Sequence, residues 1–285
     1  MKKRIISVIL SVLLIFCAVL PSVSANDESA HFVVLGDSIA YGSGLLNANA
    51  AVYGKVIADT NGYAYENYAI PGHTTKMLLS RMKEPKVKAA IENADIISIS
   101  IGGNNFLTDN LFGLIFDGIV KEDYSHFDEI AETFAADLEV IIETIRGENA
   151  HTAILLQTIY NPQTDEVGEV YRAGADRINA KIVQYAEQHP NDVILVDVAA
   201  ALTDHNTDFA EDGIHPSAAG NEKIAVAMLK ALAENGLGTE TVPVINAKGI
   251  DVRGSIGLSL AVRIAGKLFH VIAVARNAFW VKLHA

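Results

Sequence analysis

A chain of 285 residues with 22 Lys and Arg against 34 Asp and Glu has a formal charge of −12, and half of its residues are apolar. The two ends hide how acidic the middle is. Residues 26–248 carry 14 basic and 33 acidic side chains, a net of −19, and such a surface repels phosphate backbones and excludes nucleic acid as a natural partner. The single cysteine, Cys17, leaves nothing downstream from which to build a disulfide or a thiolate metal site.

Lys2, Lys3 and Arg4 open the chain, an apolar run follows over residues 5–20, and Pro21 breaks it ahead of Val23-Ser24-Ala25. This order of basic, apolar and small-residue regions is that of a secretory leader, with cleavage expected after Ala25. The apolar run is shorter than the about 20 residues needed to span a bilayer. Cys17 follows Leu14-Ile15-Phe16 and so lacks the small residues that precede a lipidated cysteine. The expected organisation is a leader at 1–25, one large domain at 26–238, and a linker with an apolar, basic tail at 239–285. The product is expected outside the cell.

Within the domain, short β-branched and apolar runs occur at 32–35, 65–70, 96–101, 153–158 and 193–198. Longer stretches between them repeat apolar residues every three or four positions, as in Phe127, Ile130, Phe134, Leu138, Ile141, Ile142 and Ile145. Strands apolar on both faces that alternate with amphipathic helices predict a parallel five-stranded sheet inside a three-layer α/β/α sandwich. In such sheets ligands bind beyond the carboxyl ends of the strands, so reactive residues are expected directly after the apolar runs.

The first run leads into Gly36-Asp37-Ser38-Ile39-Ala40-Tyr41-Gly42. A serine in a turn past a buried strand is placed to aim its hydroxyl into a crevice, and a helix starting there supplies free N–H groups for a developing oxyanion. Asp and Ser are equally the usual helix caps, so this segment alone decides nothing. The second run ends at Pro71-Gly72-His73-Thr74-Thr75, where Gly72 lets the backbone approach a ligand and Thr74 or Thr75 caps the next helix. The third ends at Gly102-Gly103-Asn104-Asn105, which offers a side-chain amide as an oxyanion donor or, equally, ordinary turn chemistry. Late in the chain, Asp212-Gly213-Ile214-His215-Pro216 sets a carboxylate three residues from an imidazole, a spacing that lets the Asp hold one ring nitrogen while the other serves as a base. Pro216 suits the first turn of the last helix of the domain.

These four segments, in this order, resemble the conserved blocks of the GDSL (SGNH) hydrolases, and the resemblance covers nearly the whole domain. It implies a flavodoxin-like sheet and a serine ester hydrolase. Ser38 would be the nucleophile, Asp212 and His215 would complete the triad, and the N–H groups of Ser38 and Gly72 with the amide of Asn104 would form the oxyanion hole. No metal or cofactor is implied. The fourth residue of the third block is usually Asp, and Asn105 departs from that; in the family this position supports the loop. The nucleophile elbow of α/β-hydrolases, Gly-x-Ser-x-Gly, is not matched, because Ala40 stands where the last glycine would be. Two other classes share the scaffold: a non-catalytic surface or carbohydrate-binding protein, which decay of Ser38, Asp212 or His215 would signal, and an acyltransferase using the same residues.

Asp204-His205-Asn206-Thr207-Asp208 begins like a calcium loop, but Phe209 and His215 occupy the positions of its glycine and bidentate glutamate. The segment 107–127 is expected to form part of the rim of the site. The tail carries Arg263 and Lys267 among Ile256, Leu258, Leu260, Ile264 and Leu268. Charges at those places argue against a membrane span and leave a basic surface helix at an anionic membrane or a segment packed on the body or on another subunit. Substrates suited to an exported enzyme of this family are carboxylic esters such as lysophospholipids and acylated carbohydrates.

Overall fold

The computed structural model describes residues 29–253 and 257–284; the leader expected at 1–25, with Cys17, lies outside them. Five strands, β1 (His31–Gly36), β2 (Ala64–Asn67), β3 (Ile96–Ser100), β4 (Ala153–Gln157) and β5 (Ile194–Val196), make one sheet. Their order is β2-β1-β3-β4-β5, and every pairing is parallel. The expected α/β/α sandwich with a flavodoxin-like sheet is therefore the observed one.

Alternation along each strand sends side chains to two separate cores. Val33, Leu35, Ile97, Ile99, Ile154 and Leu156 face helices α3 (Thr75–Met82), α4 (Pro85–Asn93), α7 (Ser125–Glu148) and α8 (Glu166–Gln188). Phe32, Val34, Ile96, Leu155 and Val196 face α2 (Tyr53–Asn61) and α9 (Ala218–Glu234). Burying each large apolar side chain contributes about 1.5–3 kcal/mol, and the two cores together stand in for the missing disulfides.

The two edge strands are shorter than their apolar runs. β2 pairs only with β1 and ends at Asn67, whose side chain accepts from the Ala69 N–H (2.9 Å) and donates to the Ala40 carbonyl (2.8 Å), tying the end of the strand to the serine loop. β5 pairs only with β4.

Four helices bear directly on the site. They are the one-turn α1 (Ser38–Tyr41), α5 (Gly103–Leu107), α6 (Leu111–Phe116), and α10 (Gly257–His284), which forms most of the tail. The segment before α10 is tied to the body: Leu45 and Asp251 form an antiparallel bridge, and the Ile250 N–H donates to the Asn47 side chain at 2.8 Å. α10 itself packs on α6, on the π-helical turn Asp117–Lys121, and on α8. Phe269 meets Phe116 edge-on at 5.3 Å between ring centroids, and Arg263 lies 3.3 Å from Asp165. Among the described residues, no helix is long and apolar enough to cross a membrane.

Candidate active site

The serine loop is set by two close approaches. At Gly36 (φ 142°) a Cβ would lie 2.1 Å from the Ser100 carbonyl oxygen, so only glycine lets β1 end against β3 here. The Asp37 N–H then donates to that same carbonyl (3.1 Å), and the Asp37 carboxylate caps α1 by accepting from the Ile39 N–H (3.0 Å). Capping thus falls to Asp37, and Ser38, the first residue of α1, keeps its hydroxyl uncommitted. Among the described residues neither the Ser38 hydroxyl nor the N–H groups of Ser38 and Gly72 have a hydrogen-bond partner. Ser38 is part-exposed and Gly72 exposed, so these three groups at the end of one sheet stay open to an incoming ligand.

Gly72 sits in the turn after β2 at φ 83°, and Thr74 caps α3 by accepting from the Met77 N–H (3.4 Å). Asn104 reaches across from α5: its amide donates to the His73 carbonyl (3.1 Å) and lies 3.5 Å from the Asp37 carboxylate. The loops after β1, β2 and β3 are thereby joined through one side chain.

Asn105 has a clear structural task. Its amide oxygen accepts from the Thr75 N–H (3.2 Å) and its NH₂ donates to the Thr75 hydroxyl (2.8 Å), which in turn donates to Asp137 (2.6 Å). An aspartate at 105 would leave two carboxylates competing for one hydroxyl proton. The amide resolves that conflict and keeps the loop support that the family assigns to this position.

The Asp212–His215 turn closes the site from the other end of the chain. One Asp212 oxygen accepts from the N–H groups of Ile214 (2.9 Å) and His215 (3.0 Å), and the other lies 2.6 Å from His215 Nδ1. Burial pushes the Asp212 carboxyl up, but these bonds from the His215 ring and the two N–H groups outweigh it and hold the group below its ordinary range. Two side chains from the loop after β4 clamp the turn: the Tyr160 hydroxyl donates to the Ile214 carbonyl (2.9 Å) and the Gln163 amide to the Gly213 carbonyl (2.7 Å). Gly44, just past α1, comes so close that a Cβ would lie 2.1 Å from the Pro216 carbonyl oxygen and 3.1 Å from His215 Cβ.

The sequence puts Pro216 in the first turn of the helix that follows, and the structure does not. Ser217 is the cap, accepting from the Gly220 N–H at 3.1 Å, and α9 starts at Ala218. The cause is local: Pro216 bridges back to Phe209, and the Ser217 N–H donates to the Asp208 carbonyl (2.9 Å), so the chain is still held as a loop there. Asp208, from the calcium-like segment, is fully buried and neutralised by Lys223 at 2.6 Å.

Ser38, Gly72, Asn104 and His215 all line one groove of about 300 Å³, and Asp212 stands behind His215. Among the described residues, no hydrogen bond links Ser38 to His215; such contacts are commonly long in free sites and tighten when substrate binds. The rest of the lining is mostly apolar, with Leu107, Leu111, Val167, Tyr171, Ile214 and Val262. Leu107, Thr108 and Leu111 come from the segment expected at the rim. Sequence reasoning missed Val167 and Tyr171 on α8 and Val262 on α10. No local signal marks them, because they reach the groove only through helix docking.

Asp37, 3% exposed, lines a small cavity that shares Ser38, Asn104 and Tyr171 with this groove. Burial raises its carboxyl to about 7, against the Ile39 N–H and the charge of His215, both of which pull it down.

Residues 34–223 match the model of the GDSL-like lipase/acylhydrolase family. The chain belongs to this family. It is an enzyme of the GDSL esterase and lipase type, and its fold is that of solved GDSL relatives. The lipase Lip_vut3 from a goat rumen metagenome superposes with a TM-score of 0.60 at 21% identity, over 74% of this chain and 99% of that one. The acetylxylan esterase Axe2 from Geobacillus stearothermophilus gives 0.54 at 22% identity, over 75% and 98%. The uncharacterized protein YpmR of Bacillus subtilis is 26% identical over 266 residues, which is 84% of this chain and 100% of that one. The GDSL family match stops at residue 223, so α10 lies outside it.

Proposed function

We propose that the chain is an exported serine esterase that works through an acyl-enzyme on Ser38. His215 Nε2 takes the Ser38 proton as Oγ attacks the ester carbonyl, and Asp212 holds the ring with Nδ1 protonated and stabilises the imidazolium that forms. The carbonyl oxygen gathers charge where the N–H groups of Ser38 and Gly72 are unpaired. The third donor is Asn104: one amide hydrogen is held by His73, and the other, facing Asp37 at 3.5 Å, turns to the oxyanion. The alcohol leaves with the proton from His215. Water, deprotonated by the same ring, then frees the acid.

The observation that carries this reading is the meeting of Ser38, Gly72, Asn104 and the Asp212–His215 pair at one groove. The apolar lining suits an ester with an acyl chain of several methylenes, such as a lysophospholipid or an acylated carbohydrate. The test is hydrolysis of p-nitrophenyl esters of rising chain length by the wild type and by Ser38→Ala, with a fluorophosphonate probe to label the nucleophile. Loss of turnover and of labelling is expected in Ser38→Ala; near wild-type activity in that variant sinks the mechanism. Export is supported by the basic, apolar and small-residue order of residues 1–25. Mass spectrometry of protein from the culture medium should find a chain beginning at Asn26, whereas an intact Met1 on protein held in the cell would refute it.

A further inference from the structure

Helix α10 has three sides: one packs on the fold, and a second, basic side reaches the body through the Arg263–Asp165 pair. Val262, Gly266 and Phe269 face the body, and Val262 forms part of the groove wall. Opposite them Leu260, Ile264, Leu268 and Val271, spaced by four, four and three, form one stripe. Each of the four is at least half exposed, Leu260 at 50%, Ile264 at 58%, Leu268 at 56% and Val271 at 63%. Arg263, Lys267 and His270, one position ahead of the last three, run beside the stripe and are also exposed. On α6, packed against α10, Phe112 is 47% exposed. A contiguous apolar surface of this kind on a monomer marks an interaction site.

We infer that this outer face of α10 docks the enzyme on an anionic lipid surface, lying in the plane of the headgroups with the groove at its edge. The charge pattern selects this partner. Residues 26–248 carry a net of −19 and are repelled by an anionic bilayer, whereas residues 249–285 hold five Lys and Arg against one acid, Asp251. Only the α10 side can approach, so attraction and orientation come from the same helix. A second copy fits less well, because two stripes packed about a two-fold axis would bring two basic rows together. Spanning is not the mode, since among the described residues no helix meets the length and apolarity it requires; a helix with apolar and basic sides is the form that lies on a bilayer.

The docking is read without turnover, so it stands or falls separately from the esterase mechanism. The test is co-sedimentation of the full chain with vesicles of phosphatidylcholine alone or mixed with phosphatidylglycerol, at low and high salt. Binding should appear with phosphatidylglycerol, weaken in high salt, and fall at least about tenfold in the double variant Ile264→Ser, Leu268→Ser. That variant should keep wild-type hydrolysis of a soluble p-nitrophenyl ester, since neither residue lines the groove. Equal binding by wild type and variant, or no binding to phosphatidylglycerol vesicles, overturns the proposal. So does a dimer in solution that the same double variant dissociates, which would assign the stripe to a second copy.

Discussion

The groove is built from two regions that follow different rules. Its polar end comes from the body, where the Asp37 N–H and the Asn104 amide join the loops after β1, β2 and β3, and Tyr160 and Gln163 clamp the Asp212–His215 turn to the loop after β4. Its apolar wall comes in part from α10, beyond the family match, which is held mainly by packing and by the Arg263–Asp165 pair. Chemistry needs atoms held to a fraction of an ångström, and a network of short bonds supplies that. An acyl wall needs only shape and dryness. On the proposed mechanism the body would decide whether the reaction runs, while the tail contributes Val262 to the wall.

The sharpest way to break that division is Asp212→Asn. The remaining oxygen still accepts from Ile214 and His215, so the turn survives, but the amide now faces Nδ1 with a donor and selects the wrong ring tautomer. Turnover should fall by about 10⁴-fold, with a drop in Tm at neutral pH no larger than the charge of Asp212 supplies there; a fall of less than tenfold would mean that the pair is structural. Asn104→Ala should lower kcat by about 10²–10³-fold, with KM for small esters nearly unchanged.

Asp37 tests the body through pH. The folded state holds its proton up to about 7, while the unfolded chain releases it near 3.8, so between those values the unfolded state binds fewer protons and stability falls as pH rises. The expected result is a Tm that drops several degrees from about pH 4 to about pH 7 beyond any change in Asp37→Asn, where the cap is kept and the titration is gone. Parallel wild-type and variant profiles would refute it. Asp212 works in the opposite sense: its contribution is present at neutral pH and is lost as pH falls through its lowered value.

The smallest effect belongs to the tail. Val262→Ala should lower kcat/KM for the longer esters by about threefold to tenfold, at about 0.8 kcal/mol per methylene lost from the wall, and leave acetyl esters unchanged. A uniform loss across chain lengths would show that α10 also steadies the polar end.

The same contrast governs what could be read from the sequence. Strands buried on both faces announce themselves as unbroken apolar runs, and the residues that follow them fall at the sheet end by topology alone, so the placement of Ser38, Gly72 and Asn104 along one groove was legible. Edge effects were less so: β2 ends at Asn67 although the apolar run continues to Ile70, and beyond it only the N–H groups of Tyr68 and Ile70 still reach β1, at the Val34 and Gly36 carbonyls. The start of α9 was misread at Pro216 because its delay depends on a bridge to Phe209 and a bond to Asp208. Val262 was out of reach. Its role depends on which face of α10 meets the body, and the helix is apolar on two.

The near-contact of Gly44 with Pro216 also bears on the order in which the enzyme is made. Ser38 leaves the ribosome early, but His215, its proposed base, arrives about 180 residues later, and the turn that carries it is clamped by Tyr160 and Gln163 from the loop after β4. Activity is thus a report of complete assembly. On the proposed mechanism, a nascent chain that has not yet reached the Asp212–His215 turn carries Ser38 without its base.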